Sequence, residues 1–134
     1  MNPQIKTVRK GLTIVVAAWW LAMFVATHIP RVPQELSLPG GDKSQHLIAY
    51  AGLAFLVALR LSFGNHLGWK RAATIFGIVA FYGVLDELTQ IPVGRTADFY
   101  DWIADVTGAV SGLAILAVLR AVQSRLAESR RGSA

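Results

Sequence analysis

The chain has 134 residues, 54% of them hydrophobic and only 16% charged, with a mean hydropathy of +0.46; that balance belongs to a membrane protein and leaves no room for a separate soluble domain. It carries 13 Lys and Arg against 8 Asp and Glu, a formal net charge of +5, and no cysteine, which excludes a disulfide framework and a thiol-ligated metal site. The basic residues flank apolar runs and form no aromatic-interleaved patch, so nucleic acid is not expected as a partner.

Residues 1–10 make a basic N-terminus containing Lys6, Arg9 and Lys10. The apolar run 11–29 that follows is longer than a signal core and lacks a small-x-small cleavage site, so it reads as a retained span. Trp19 and Trp20 sit near its middle, away from the interface where Trp is usually found, which predicts packing against other helices. Residues 30–45 hold Pro30, Pro33, Pro39, Gly40 and Gly41, which rule out a long helix; Leu36 and Leu38 are expected to rest this outer loop on the interface. A second span, 46–63, has Arg60 in its last turn, close enough to the headgroups to snorkel. The connection "GNHLGWKR" reads as a short turn with Trp69 at the interface and His66 solvated.

A third span, 72–91, ends in "LDELTQ", which carries Asp86, Glu87 and Gln90. The connection "PVGRTADFY" brings the chain back with Phe99, Tyr100 and Trp102 expected in an aromatic belt. The fourth span covers 102–119, and the Arg-rich segment 120–134 is expected to extend this helix and then fray. Each run is near the roughly 20 residues that cross a hydrocarbon core of about 30 Å. The predicted fold is an all-α membrane protein, a compact bundle of four transmembrane helices forming one domain over residues 11–119, bathed in membrane lipid.

Charge asymmetry orients the bundle. Lys6, Arg9, Lys10, Arg60, Lys70, Arg71, Arg120, Arg125, Arg130 and Arg131 fall on one side, while the other has only Arg31, Lys43 and Arg95. The positive-inside rule then puts both termini in the cytoplasm, with the basic face on anionic headgroups. The acids do the reverse: Glu35, Asp42, Asp86, Glu87, Asp98, Asp101 and Asp105 lie at the outer ends, leaving Glu128 inside.

Positions four apart share a helix face. Asp42, His46 and Tyr50 therefore form one stripe entering span two, and Tyr82, Asp86 and Gln90 another leaving span three. Asp98, Asp101 and Asp105 form a third, entering span four. Gly108 and Gly112 continue that third line in a small-xxx-small pattern that admits a neighbouring helix, so the acids should point into the bundle, away from lipid that rejects charge.

Three readings fit this constellation. In the first it is a charge-balanced network that pins the helices, with Arg95 paired to Asp86 or Asp98 and Lys43 to a neighbouring acid. In the second it is a site for an anionic or polar headgroup: Arg95 and Lys43 hold phosphate, and His46 acts as acid or base with Asp86 or Glu87 as its carboxylate partner. In the third the oxygen-rich ligands hold Mg, Ca or Mn, since one His and no Cys suit zinc poorly. No compact signature such as H-E-x-x-H is present, so neither a metal ligand nor a cofactor is assigned. An ion-coupled transporter would need polar groups continuing across the membrane; beyond Thr74, Thr107 and Ser111 there are few.

Taken in order, "DKSQHLIAYAGLAF" (42–55), "YGVLDELTQ" (82–90) and "GRTADFYDWIADVTGAVSG" (94–112) resemble the VanZ-like family of small bacterial membrane proteins. The resemblance implicates Asp42, Lys43, His46, Tyr50, Glu87, Gln90, Arg95, Asp101, Gly108 and Gly112. This chain departs from the family pattern at Asp105, where the pattern has Asn. The family takes its name from an association with resistance to glycopeptides such as teicoplanin, which implies a role at the outer face, with a lipid-linked cell-wall precursor or the glycopeptide itself as partner.

Overall fold

Backbone amides in hydrocarbon have no water to bond, so apolar runs cross it only as helices whose hydrogen-bond ladders close internally. A computed structural model describes residues 3–30 and 39–132. It consists of α1 (Pro3–Thr27), α2 (Gly41–Leu61), α3 (Trp69–Gln90), a 3₁₀ turn (Ile91–Val93) and α4 (Phe99–Gly132). All four helices are long and apolar enough to cross a membrane, and no strand occurs among the described residues. The outer-loop residues Arg31, Pro33, Glu35, Leu36 and Leu38 lie outside the described residues.

All four helices begin earlier than the apolar runs suggest, α3 by three residues at Trp69. α1 starts at Pro3, because proline fits a first turn whose amides are unpaired in any case, and it carries the basic N-terminal segment as helix. α2 starts at Gly41, after Gly40 in the left-handed region at φ 92°, which brings Asp42 and Lys43 into its first turn. α4 starts at Phe99 and continues to Gly132 for 34 residues. Such a helix rises about 50 Å, well beyond the hydrocarbon core, and its tail is built of good helix formers such as Ala, Arg, Leu and Glu. α3 stops where Pro92 removes the next amide donor.

α2 is the central helix, touching α1, α3 and α4; its contact with α4 is the most extensive, and α1 does not touch α4 among the described residues. Glycine makes the α2–α4 seam possible. A Cβ on Gly108 would overlap the Leu47 carbonyl oxygen, and one on Gly112 would overlap that of Ala51. The backbones therefore meet with no side chain between them, as the small-xxx-small pattern predicts. Ala54, Ala58, Ala109 and Leu116 fill the rest of this buried seam, and Leu53, Ile75 and Val79 extend the core toward α3. Ile14, Leu21, Ile78, Phe81, Ile115 and Val118 remain exposed toward lipid.

Trp19 packs as expected, its indole N–H donating to the Ala49 carbonyl at 2.9 Å over Gly52, where a Cβ would strike the ring. Trp20 stays 42% exposed and leans on Phe24 and Tyr82. Of the expected aromatic belt, Phe99 and Tyr100 are exposed, whereas Trp102 turns inward and donates to the Ala80 carbonyl at 3.0 Å.

At the basic end, arginines from three helices converge on the carbonyls that end α2. Arg9 donates to the Phe63 carbonyl at 2.8 and 3.2 Å, Arg120 to Ser62 at 3.0 Å and Asn65 at 3.3 Å, and Arg71 to His66 at 3.3 Å. A helix C-terminus leaves carbonyls unpaired and carries partial negative charge, so these cations close the end of α2 in addition to facing the headgroup level. Arg60 donates to Thr13 at 3.0 Å, tying α2 to α1.

Gly108→Ala and Gly112→Ala are expected to destabilise the purified protein by about 1–3 kcal/mol through overpacking, measured as a loss of unfolding midpoint in detergent. Gly77→Ala, where a Cβ meets nothing within 4 Å, should leave that midpoint unchanged or higher.

Candidate functional site

The polar groups gather at the end of the bundle opposite the arginines. They arrive there because α2 and α4 begin, and α3 ends, at that level. Asp42 and Asp101 sit in first turns, where the helix dipole favours negative charge. Asp98 caps α4: its backbone carbonyl accepts from the Asp101 and Trp102 amides, and its Oδ1 accepts from Tyr100 N–H at 2.8 Å.

Asp86 and Glu87 lie at a helix C-terminus, where the dipole repels a carboxylate, and each is compensated by its own donors. Glu87 Oε2 accepts from the Asp98 amide at 2.7 Å, locking the end of α3 to the start of α4. Asp86 turns about 100° away on the helix toward α1, where the Thr27 hydroxyl donates at 3.3 Å, and Tyr82 one turn earlier on α3 donates at 3.5 Å. Gln90 Nε2 bridges the two acids at 3.4 and 3.5 Å. All three side chains are buried.

Across the gap, Lys43 Nζ donates to Asp101 at 2.8 Å and Asp98 at 2.9 Å. Lys43 and the Tyr100 amide hold the Asp98 carboxyl below its ordinary range. The stabilisation from that link is therefore present at neutral pH and is lost as pH falls through the lowered value. Arg95 forms an ion pair with Asp42 and reaches the Ile29 carbonyl at 3.4 Å, which corrects the expected pairing with Asp86 or Asp98. The cause is local: Gly94 takes φ 81° and closes the 3₁₀ turn onto Ile91, which sends Arg95 toward the start of α2 and away from the end of α3.

His46 is fully buried, and its Nδ1 lies 2.8 Å from Asp105 Oδ1. Glu87 is farther, at 3.8 Å. The expectation that Asp86 or Glu87 is the principal partner of His46 is thus corrected to Asp105, because the glycine seam draws α4, not α3, against this part of α2. Tyr50 is also fully buried, its ring between those of His46 and Tyr82, with centroids 6.4 and 6.1 Å away. His46 Nε2, Tyr50 OH and Asp105 Oδ2 are buried with no hydrogen-bond partner among the described residues.

A cavity of about 450 Å³ opens at this end, lined by Asp42, Lys43, Gln45, Arg95, Asp98 and Asp101 with Pro30, Gly94 and Thr96. Five of the sequence-predicted site residues thus form its wall. His46, Tyr50, Tyr82, Asp86, Glu87, Gln90 and Asp105 are not part of that lining. A second, mainly apolar hollow of about 310 Å³, lined by Val84, Glu87, Leu88, Ala97, Phe99 and Trp102, shares Asp98 with the first. Sequence reasoning missed His28, whose Nδ1 donates to the Phe24 carbonyl at 2.8 Å and lies 3.9 Å from Asp86, while its Nε2 lies 3.1 Å from Thr89 Oγ1. The available signal was depth: His28 closes the first apolar run at the level of the other polar ends.

Residues 4–120 match the VanZ/LLP1 family. The chain belongs to this family. The match takes in all of the resembling motifs and extends them through most of α1 and the membrane part of α4, so this VanZ/LLP1 protein is a multi-pass membrane protein. Neither curated proteins nor solved structures give a match.

Asp105→Ala is expected to destabilise the fold by on the order of 3–5 kcal/mol, the cost of leaving one member of a buried pair alone. Asp105→Asn, whose amide oxygen still accepts from His46 Nδ1, should retain most of that stability; equal unfolding midpoints for the two variants would contradict the assigned pairing.

Proposed function

We propose that this VanZ/LLP1 protein binds a lipid-linked or phosphate-bearing cell-envelope component at the outer leaflet of the bacterial inner membrane. Residues 1–10 and 120–134 are cytoplasmic in this reading and flank a membrane domain over 11–119. The observation that carries it is the pairing of two hollows across Asp98. A polar one presents Arg95 and Lys43, and a mainly apolar one beside it is lined by Val84, Leu88, Ala97, Phe99 and Trp102, with Glu87 at its wall. A headgroup in the first and the start of its chain in the second would match an amphiphile entering from the interface.

The phosphate would displace carboxylates from Arg95 and Lys43, which gives the pocket a defined closed state in its absence. A proton-transferring role for His46 with Asp105 would need the cavity wall to open, because both are fully buried and lie outside its lining. Glu87 then acts by holding the ends of α3 and α4 in register, and Asp86 by tying α3 to α1. A link to teicoplanin-type resistance would follow from altered display of a surface component on this side.

The network reading draws on the same ion pairs: Arg95 and Lys43 already have carboxylate partners, so the cluster also pins the helices. Native mass spectrometry of protein extracted with its own lipids separates the two. Arg95→Ala and Lys43→Ala should accumulate normally and lose a retained anionic lipid about 10- to 100-fold, the worth of a charge-assisted hydrogen bond of about 1.5–3 kcal/mol. Loss of both variants from the membrane before any change in bound lipid would leave only the pinning role. In intact cells, a cysteine replacing the exposed Thr96 should react with a membrane-impermeant thiol reagent; protection until the cells are opened would reverse the topology.

A further inference from the structure

We propose that Asp42, His46 and Asp101 bind a divalent cation of the Mn²⁺ type at the inner edge of the polar cavity, with Asp105 as the positioning residue behind the imidazole. A ring nitrogen of His46 and one carboxylate oxygen from each of Asp42 and Asp101 lie within 4.8 Å of one another. Ligand atoms about 2.0–2.3 Å from a shared ion stand roughly 3–4.5 Å apart, so small side-chain movements complete the set. Neither acid is used up by its present partner: Arg95 holds Asp42 through Oδ2, and Lys43 holds Asp101 through Oδ1.

His46 supplies the independent sign of a ligand. Its side chain is fully buried and its Nδ1 is taken by Asp105, while Nε2 has no partner among the described residues. Left so, a buried imidazole nitrogen carries the full cost of desolvation. A carboxylate on one ring nitrogen with the other free is the arrangement that orients a metal-ligating histidine.

Charge balance points the same way. Among the described residues, Asp42, Asp86, Glu87, Asp98, Asp101 and Asp105 share this end with Lys43 and Arg95 as permanent cations. The acids outnumber those cations, and a divalent ion bound to a neutral His46 would lower that excess. The deeper trio His46, Glu87 and Asp105 suits an ion less, because Asp105 already engages Nδ1 and Glu87 holds the Asp98 amide. One imidazole with two carboxylates and water favours Mn²⁺ over Ca²⁺ or Mg²⁺, which prefer oxygen alone, and over Zn²⁺, which prefers more nitrogen or sulfur.

The test uses the full chain in zwitterionic nanodiscs, stripped with chelator and titrated with Mn²⁺ alone, followed by electron paramagnetic resonance. The expected result is one bound Mn²⁺ per chain with hyperfine coupling to an imidazole nitrogen. His46→Gln and Asp101→Asn should each weaken binding more than about tenfold, with unfolding midpoints recorded to show that the variants are folded. The nitrogen coupling is read on the unaltered protein and so does not depend on any variant folding. Bound Mn²⁺ without nitrogen coupling, or affinity in the unaltered protein no higher than in His46→Gln, overturns the proposal. Either failure leaves the lipid reading intact, since that is tested through Arg95 and Lys43 without added metal.

Discussion

The close approach of α2 and α4 governs most of what the rest of the molecule can do. Gly108 and Gly112 press against the carbonyls of Leu47 and Ala51, and the polar residues one and two turns nearer the acidic end inherit that spacing. Asp105 is three residues before Gly108 and His46 one before Leu47, so the seam that packs backbone on backbone also sets the imidazole against the carboxylate. Asp101 and Asp42 follow one turn further out. A bulkier residue at either glycine would therefore move the polar end as well as loosen the packing, because both are consequences of one interhelical distance.

The two ends of the bundle answer the same electrostatic problem with opposite chemistry. At the basic end the unpaired carbonyls following α2 are met by guanidinium groups from α1, α3 and α4, each a favourable cation at a helix C-terminus. At the acidic end the starts of α2 and α4 accept carboxylates readily, but α3 arrives by its C-terminus with two more. Those two are held by donation from Thr27, Tyr82, Gln90 and the Asp98 amide, with His28 and His46 close by. Removing a donor there exposes a repulsion that the helix itself supplies, which makes the C-terminal end of α3 the most dependent part of the network.

Helical period and charge made much of this visible without coordinates. The four apolar runs and the Asp42–His46–Tyr50 and Asp101–Asp105–Gly108–Gly112 lines follow from hydropathy and spacing, since residues three or four apart share a face, and the inward aim of the latter follows from its glycines and from lipid that rejects charge. Partner choice was not visible, because it depends on the rotation of one helix against another and on the turns between them. Arg95 reaches Asp42 through the left-handed conformation of Gly94, and His46 takes Asp105 because α4 lies nearer than α3. His28 escaped notice because it has no polar neighbour at helical spacing on α1. Its role comes from Asp86 and Thr89 on α3, a relation that no one-dimensional pattern contains.

Asp105 separates a pinned network from a poised one. An Asn at this position, as in the family pattern, would accept the His46 N–H equally well while adding no charge, so structural pinning alone does not require a carboxylate. A carboxylate makes the imidazole more basic and turns Nε2 into a stronger donor of electrons, which benefits a ligand on that nitrogen and contributes little to packing. The extra charge is also placed where acids already outnumber cations, an arrangement that a purely architectural cluster would be expected to avoid. Among the described residues, the Lys43 and Arg95 ion pairs thus leave Asp105 Oδ2 and His46 Nε2 without a partner.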